Sequence, residues 1–197
     1  MRVFFVFLVT CVTLGLAGCT PIPTDVAPRT AVAMLGATVQ SPNENGWSMR
    51  VSRPEIVAFG RKGDNPGETM VAAVTAVYVP NIKSDHAFLK HIADQRVKND
   101  DSTRFSLVKV TNRQVSFKGT QCLKFSGLSK DNKSPAAGPS GFQYMKNEGY
   151  ICRHPIERNG ALIMEMSYRS GNTNFPAALR SVATGFFNNI QFNNNGT

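Results

Sequence analysis

The sequence has no apolar stretch long enough to cross a bilayer as a helix. Its most apolar segment, residues 3–16, is shorter than the about 20 residues that a transmembrane helix needs. Cysteine is scarce, with 4 in 197 residues, and acidic residues are few, with 13 Asp and Glu against 22 Lys and Arg and a formal net charge of +9. The positive surplus favours an acidic partner, such as anionic lipid, acidic polysaccharide, nucleic acid or an acidic protein face. The alternative is a basic surface that only keeps the domain soluble.

The motifs of common catalytic and metal sites are also missing. There is no G-x-S-x-G, no phosphate-binding glycine loop and no dinucleotide fingerprint. His86 and His91 are five positions apart on a predicted helix, about 140° around its axis, so they cannot easily hold one metal, and His154 is isolated. Ser106 and Lys109 match the spelling S-x-x-K, but on a strand they point to opposite faces. We therefore expect no enzyme activity, catalytic residue, metal or cofactor.

Nucleic acid is not an expected partner. The Lys and Arg residues are spread along the chain, and no basic strand is evidently accompanied by the aromatic residues that stack with bases. The exported location argued below also separates the protein from DNA and RNA.

The beginning of the chain has the layout of a bacterial export signal. A positive start at Arg2 is followed by an apolar run and by two small residues before Cys19, as is typical of a secretory signal peptide. The segment LAGC, residues 16–19, resembles the lipobox of bacterial lipoproteins. This resemblance implies a signal peptide over residues 1–18, cleavage before Cys19 and a diacylglycerol on the Cys19 sulfur. The alternative is an ordinary signal peptide cut nearby, which leaves Cys19 as a thiol.

The resemblance also implies a cellular location. Stable attachment needs more than one lipid chain, which lipoproteins obtain on the modified cysteine. In Gram-negative lipoproteins the next residue influences sorting, and Thr20 is not the aspartate associated with retention at the inner membrane. We therefore expect a lipid-anchored protein of the cell envelope, on the outer membrane and facing the periplasm.

Composition divides the mature chain into three parts. Residues 19–45 contain four prolines among small and polar residues, which predicts a lipidated N-terminus and flexible tether. The alternative for its apolar patch AVAMLGATV, residues 31–39, is a short strand that docks on the domain. Residues 46–192 have the periodicity of a globular domain. The asparagine-rich residues 193–197 are predicted to be a disordered tail.

The order of predicted elements defines the fold class. Three strands, at residues 47–52, 55–60 and 69–79, precede a helix capped by Ser84. Further strands follow through residues 104–168, and an amphipathic helix starts after Asn174. This order predicts an α+β fold, with a mostly antiparallel β-sheet packed against one central and one C-terminal helix. It resembles the Mog1/PsbP-like fold, which includes DcrB-type lipoproteins; no functional residue is transferred from that resemblance.

Cys122 and Cys152 are the cysteines left to pair after maturation. Disulfides persist outside the cytosol, and a hairpin that pairs the two cysteines is centred on Ala137, in the loop KSPAAGPSG. The same register places Leu123 opposite Ile151, which matches apolar with apolar. We predict a structural disulfide; a redox or metal pair is the alternative, although the spacing fits neither.

Together these features predict a membrane-anchored exported lipoprotein that acts as a non-catalytic binding or accessory module in the bacterial envelope. Its expected partners are the membrane, through the anchor, and an envelope protein or acidic envelope polymer. The alternatives are a small-ligand-binding domain with a pocket between sheet and helix, and an inhibitor of an enzyme such as lysozyme, which the basic charge disfavours. The oligomeric state does not follow from the sequence.

Overall fold

An eight-stranded antiparallel sheet forms the centre of the molecule. The computed structural model describes residues 24–98 and 102–193, so the predicted signal peptide, Cys19 and residues 194–197 lie outside the described residues. With strands numbered in chain order, the sheet runs β1 (Thr24–Asp25), β4 (Ser48–Arg53), β5 (Ile56–Lys62), β6 (Thr69–Tyr78), β10 (Gly160–Ser170), β9 (Gln143–Arg153), β8 (Thr120–Asp131) and β7 (Phe105–Phe117). Every neighbouring pair is antiparallel.

The sheet is covered on both faces, as the apolar residues on both sides of β6 predict. Helix α1 (Asp85–Lys98) lies on one face; helix α2 (Leu179–Asn188) and a small sheet of β11 (Gln191–Phe192), β3 (Ala37–Gln40) and β2 (Ala31–Met34) lie on the other. The predicted fold class, a mostly antiparallel α+β sandwich with one central and one C-terminal helix, is therefore confirmed. Among the described residues, no helix is long and apolar enough to cross a membrane.

Local sequence explains where the helices begin. The Ser84 hydroxyl accepts the N–H of Ala87 at 3.0 Å, which is the predicted cap of α1. The predicted start of the second helix after Asn174 differs from the structure, in which Ala178 is the residue before α2. Asn174 instead donates its N–H to the side chain of Asn172, so that this segment turns before the helix begins.

The predicted tether is largely part of the folded domain. Strands β2 and β3 form a hairpin whose Ala37 and Val39 are fully buried in the core. The Ser41 hydroxyl donates to the carbonyl of Ala27 and accepts the N–H of Thr30, which fixes the preceding turn. Because these apolar residues cover the edge of the main core, the predicted domain boundary at residue 45 lies too late in the chain. At the other end, Asn193 donates its N–H to the carbonyl of Gly36, although it is the first residue of the predicted tail.

The predicted disulfide is present, in the predicted register. Cys122 on β8 lies opposite Cys152 on β9, their sulfurs are 2.06 Å apart, and Leu123 lies opposite Ile151. Before Thr120 the chain forms one continuous strand, β7, which pairs with β8 along nearly its whole length.

A buried carboxylate secures the open end of the β7–β8 hairpin. Asp131 is fully buried and accepts two hydrogen bonds of 2.8 Å from the Arg104 guanidinium, while Arg169 approaches from β10 at 3.1 Å. The hydrogen bonds from Arg104 hold the pKa of Asp131 below its ordinary value. This cluster ties β7, β8 and β10 together at one end, and the disulfide ties β8 to β9 near the other.

Candidate anion-binding groove

A groove lies between helix α2 and the strands β7, β8 and β9. Its wider part is a cavity of about 420 Å³, and a second cavity of about 280 Å³ adjoins it through Thr111 and Ser126. Five cationic side chains line the groove: Lys109, Arg113, Lys124, Lys146 and Arg180.

Strand register arranges the groove side chains in rows. Alternate residues of a strand share a face, and the observed pairings place Arg113, Lys124 and Tyr150 in one row across the three strands. The next row is Thr111, Ser126 and Glu148. The third is Lys109, Leu128 and Lys146. Two rows that contain cations thus flank one row with two hydroxyls, and the cationic rows are roughly 13 Å apart along the strands.

The first row contains an unfavourable pair. Arg113 and Lys124 are direct partners on antiparallel strands, and like charges in that arrangement destabilise a sheet. Among the described residues, none of the five groove cations forms an ion pair with an acidic side chain. Glu148 is the acidic residue lining the cavities, so the groove carries a positive surplus. Such a surplus attracts and concentrates anions.

Aromatic rings form part of the groove wall and position two of the ammonium groups. Tyr150 stacks on Phe117 with ring centroids 4.2 Å apart and meets Phe187 of α2 edge-on at 5.3 Å. The Lys124 ammonium lies 5.4 Å from the centre of the Tyr150 ring. In the narrower cavity, the Lys146 ammonium lies 5.2 Å from the Phe175 ring. Ring contacts of this kind favour a cation above the ring face.

The disulfide lies next to this groove. Cys122 is two positions before Lys124 on β8, and Cys152 is two positions after Tyr150 on β9, so all four side chains share one face. The bridge therefore fixes the spacing of the strands that carry the first cationic row. Its two sulfurs are buried in the core beneath α2.

The groove was not predicted from the sequence, because its cations are scattered along the chain. Lys109, Lys124 and Lys146 are far apart along the chain, but the structure brings them to one face, beside aromatic rings that the sequence had not indicated. The sequence does contain one indication of the groove: on β7 and β8, the Lys and Arg residues are separated by even numbers of positions, so the cations of each strand share a face. Once the disulfide sets the β8–β9 register, the rows containing Lys124 and Lys146 follow.

The other sequence candidates do not assemble into a site. Among residues 24–98 and 102–193, no group of three or more His, Cys, Asp or Glu side chains could hold a metal ion. His154 is buried and its Nδ1 accepts the N–H groups of Ile156 and Glu157. The Ser106 hydroxyl accepts a hydrogen bond from the Asn132 side chain, away from the groove that contains Lys109.

A separate cavity, outside the groove, lies on the opposite face of the sheet, between α1 and the sheet. Its volume is about 660 Å³, and its apolar walls include Val77, Ile92, Ile151 and Ile163. The Arg96 guanidinium stacks over Phe125 at 3.9 Å at this cavity. The remaining lining residues with polar side-chain groups are Tyr78, His91, Gln95, Asn147 and Glu165.

Comparison with known proteins shows distant similarity to solved structures. No family model matches the chain, and no curated protein matches it. The chain is similar to the Ran-binding protein Mog1p of Saccharomyces cerevisiae, at 10% identity and a TM-score of 0.45 over 87% of this chain and 96% of that one. A point variant of Mog1 has 11% identity and a TM-score of 0.42, over 83% and 95% of the two chains. Cyanobacterial PsbP from Synechocystis has 13% identity and a TM-score of 0.42, over 91% and 99%. At these values nothing about function is transferred.

Proposed function

We propose that the protein is a lipid-anchored component of the bacterial envelope that binds an acidic polysaccharide through the groove, without catalysis. The anchor is the lipid on Cys19, and the location is the periplasmic leaflet of the outer membrane. The observation that carries the binding proposal is the direct opposition of Arg113 and Lys124 within a groove of five cations. Proteins break local stability rules chiefly at functional sites, and a bound anion removes the repulsion.

The layout of the groove favours an extended acidic sugar polymer over a single small anion. The four cations on the strands occupy two rows roughly 13 Å apart, so one small anion cannot contact both rows, whereas charges repeated along a polymer can. Thr111 and Ser126, between the rows, offer hydroxyls that can donate to and accept from sugar hydroxyls. The exposed part of Tyr150 offers an aromatic surface to a sugar ring.

The lipid anchor would act by confinement. A domain tied to the membrane meets neighbouring polymer at a high effective concentration, so modest intrinsic affinity is sufficient for stable contact. Because exposed charges are screened over about 10 Å at 0.1 M salt, the attraction should weaken as salt is added.

The test is binding of the full mature protein to polygalacturonate, with neutral dextran as the comparison polymer. We expect binding to polygalacturonate alone, weaker at higher salt, and at least tenfold weaker in the double variant Arg113→Gln/Lys124→Gln. The matched control is Lys83→Gln/Arg158→Gln, which removes two exposed cations outside the groove and should bind as the unmodified protein does. Equal loss in both double variants would show a response to net charge and would refute the groove as the site.

The cavity between α1 and the sheet supports a second candidate function, small-ligand binding. Its 660 Å³ volume and apolar walls with several polar groups match the usual dimensions of ligand sites. The fluorescent probe anilinonaphthalene sulfonate, whose aromatic rings are apolar, should bind the cavity of the folded protein. The variant Ile163→Trp, whose indole ring fills the cavity, should bind the probe much more weakly. Unchanged probe binding in that variant would exclude this cavity as the site.

A further inference from the structure

The folded domain begins very close to the proposed anchor. Four residues separate Cys19 from Thr24, and Thr24, on the short edge strand β1, already pairs with Met49 on β4. A fully extended chain advances at most about 3.6 Å per residue, so Thr24 lies within roughly 18 Å of Cys19. This inference rests on the proposed lipidation of Cys19. With that lipid in the bilayer, the β1–β4 edge has to lie near the headgroups.

The surface at this edge suits anionic headgroups. Arg50 and Arg53 follow Met49 on β4, and both are exposed. The Arg50 side chain lies across Gly60 of the neighbouring strand β5, which leaves room for it because glycine has no side chain. Arg29, in the turn after β1, is also exposed. Among the described residues these three arginines form no ion pair.

The anchored edge and the cationic groove lie at opposite ends of the sheet. From β4 to β8 the order of strands is β4-β5-β6-β10-β9-β8, which is five strand spacings. At about 4.8 Å per spacing this separates the two by roughly 24 Å. We propose that the β1–β4 edge rests on an anionic lipid surface through Arg29, Arg50 and Arg53, and that the sheet holds the groove away from the bilayer, open to polymer.

The orientation can be measured with the single tryptophan. Trp47 is next to the proposed contact edge, since its carbonyl accepts the N–H of Val26 beside β1. Energy transfer from Trp47 to a dansyl-labelled headgroup lipid is measured with the lipidated protein in vesicles of phosphatidylglycerol and phosphatidylethanolamine. We expect severalfold more transfer than in Trp47→Phe/Tyr150→Trp, which moves the donor to the groove. Equal or greater transfer from the groove position would overturn the proposal.

A second comparison uses the unaltered tryptophan and therefore does not depend on a core substitution. Arg50→Gln/Arg53→Gln should lower transfer from Trp47, as should vesicles of neutral lipid, whereas Lys83→Gln/Arg158→Gln should leave it unchanged. Identical transfer in the two double variants would refute the headgroup contact. Intact mass of the same samples reports the lipid on Cys19, so failure of the anchor is distinguished from failure of the orientation.

Discussion

Arg113 and Lys124 lie directly opposite each other on β7 and β8, and both side chains line the groove beside α2. The two positive charges repel each other, and a cross-strand pair changes the stability of a sheet by about 0.2–1 kcal/mol.

Replacing one of the two charges should therefore stabilise the protein while weakening its binding. We expect Arg113→Thr to raise the free energy of unfolding in denaturant titrations by about 0.2–1 kcal/mol and to lower affinity for polygalacturonate. The control Gln114→Thr makes a similar change in strand preference on the opposite face and should leave binding unaltered. If Arg113→Thr is less stable and binds polygalacturonate unchanged, the Arg113–Lys124 pair neither destabilises the sheet nor contributes to binding.

The disulfide between Cys122 and Cys152 should contribute a large part of the stability. It joins positions 30 residues apart, for which chain-entropy models give roughly 3–4 kcal/mol. The variant Cys122→Ala/Cys152→Ala should lose at least that much free energy of unfolding, and reductant should lower the denaturation midpoint of the unmodified protein but not that of the variant. An equal response to reductant in both proteins would contradict a stabilising bridge.

His154 should make the stability depend on pH. Burial lowers its pKa below the ordinary value of 6.5, and its unprotonated Nδ1 accepts two backbone N–H groups. Below pH 6.5 the unfolded chain takes up the proton more readily than the folded one, so the free energy of unfolding should decrease as the pH falls.

The pH effect can be assigned with two variants. His154→Asn should flatten the dependence around the ordinary histidine pKa, whereas His86→Asn, at an exposed position on α1, should retain it. Unfolding titrations on both sides of that pKa provide the measurement. If the pH dependence of the free energy of unfolding persists in His154→Asn, the assignment of this effect to His154 is contradicted.

The features that could be predicted from the sequence are those that local periodicity and strand pairing determine together. The Cys122–Cys152 register followed from the loop between them and from the match of Leu123 with Ile151, and the Ser84 cap followed from helix-start chemistry. The extent of the tether was predicted less well. The apolar residues 31–39 indicate a possible short docked strand, but the prolines on either side resemble a linker, and the burial of Ala37 and Val39 depends on a core shared with distant residues such as Phe59. The groove was missed for a related reason, since Lys109 and Lys146 become neighbours only through pairing across β8.

The most direct test of a lipid-anchored envelope protein is the intact mass of the membrane-extracted chain, measured with and without reduction beside a Cys19→Ala control. We expect the mass of a chain that starts at acylated Cys19, with a gain of two hydrogen atoms on reduction of the Cys122–Cys152 bridge, and no acylated form in the control. A soluble chain without lipid, or one that starts at another residue, would contradict the anchor.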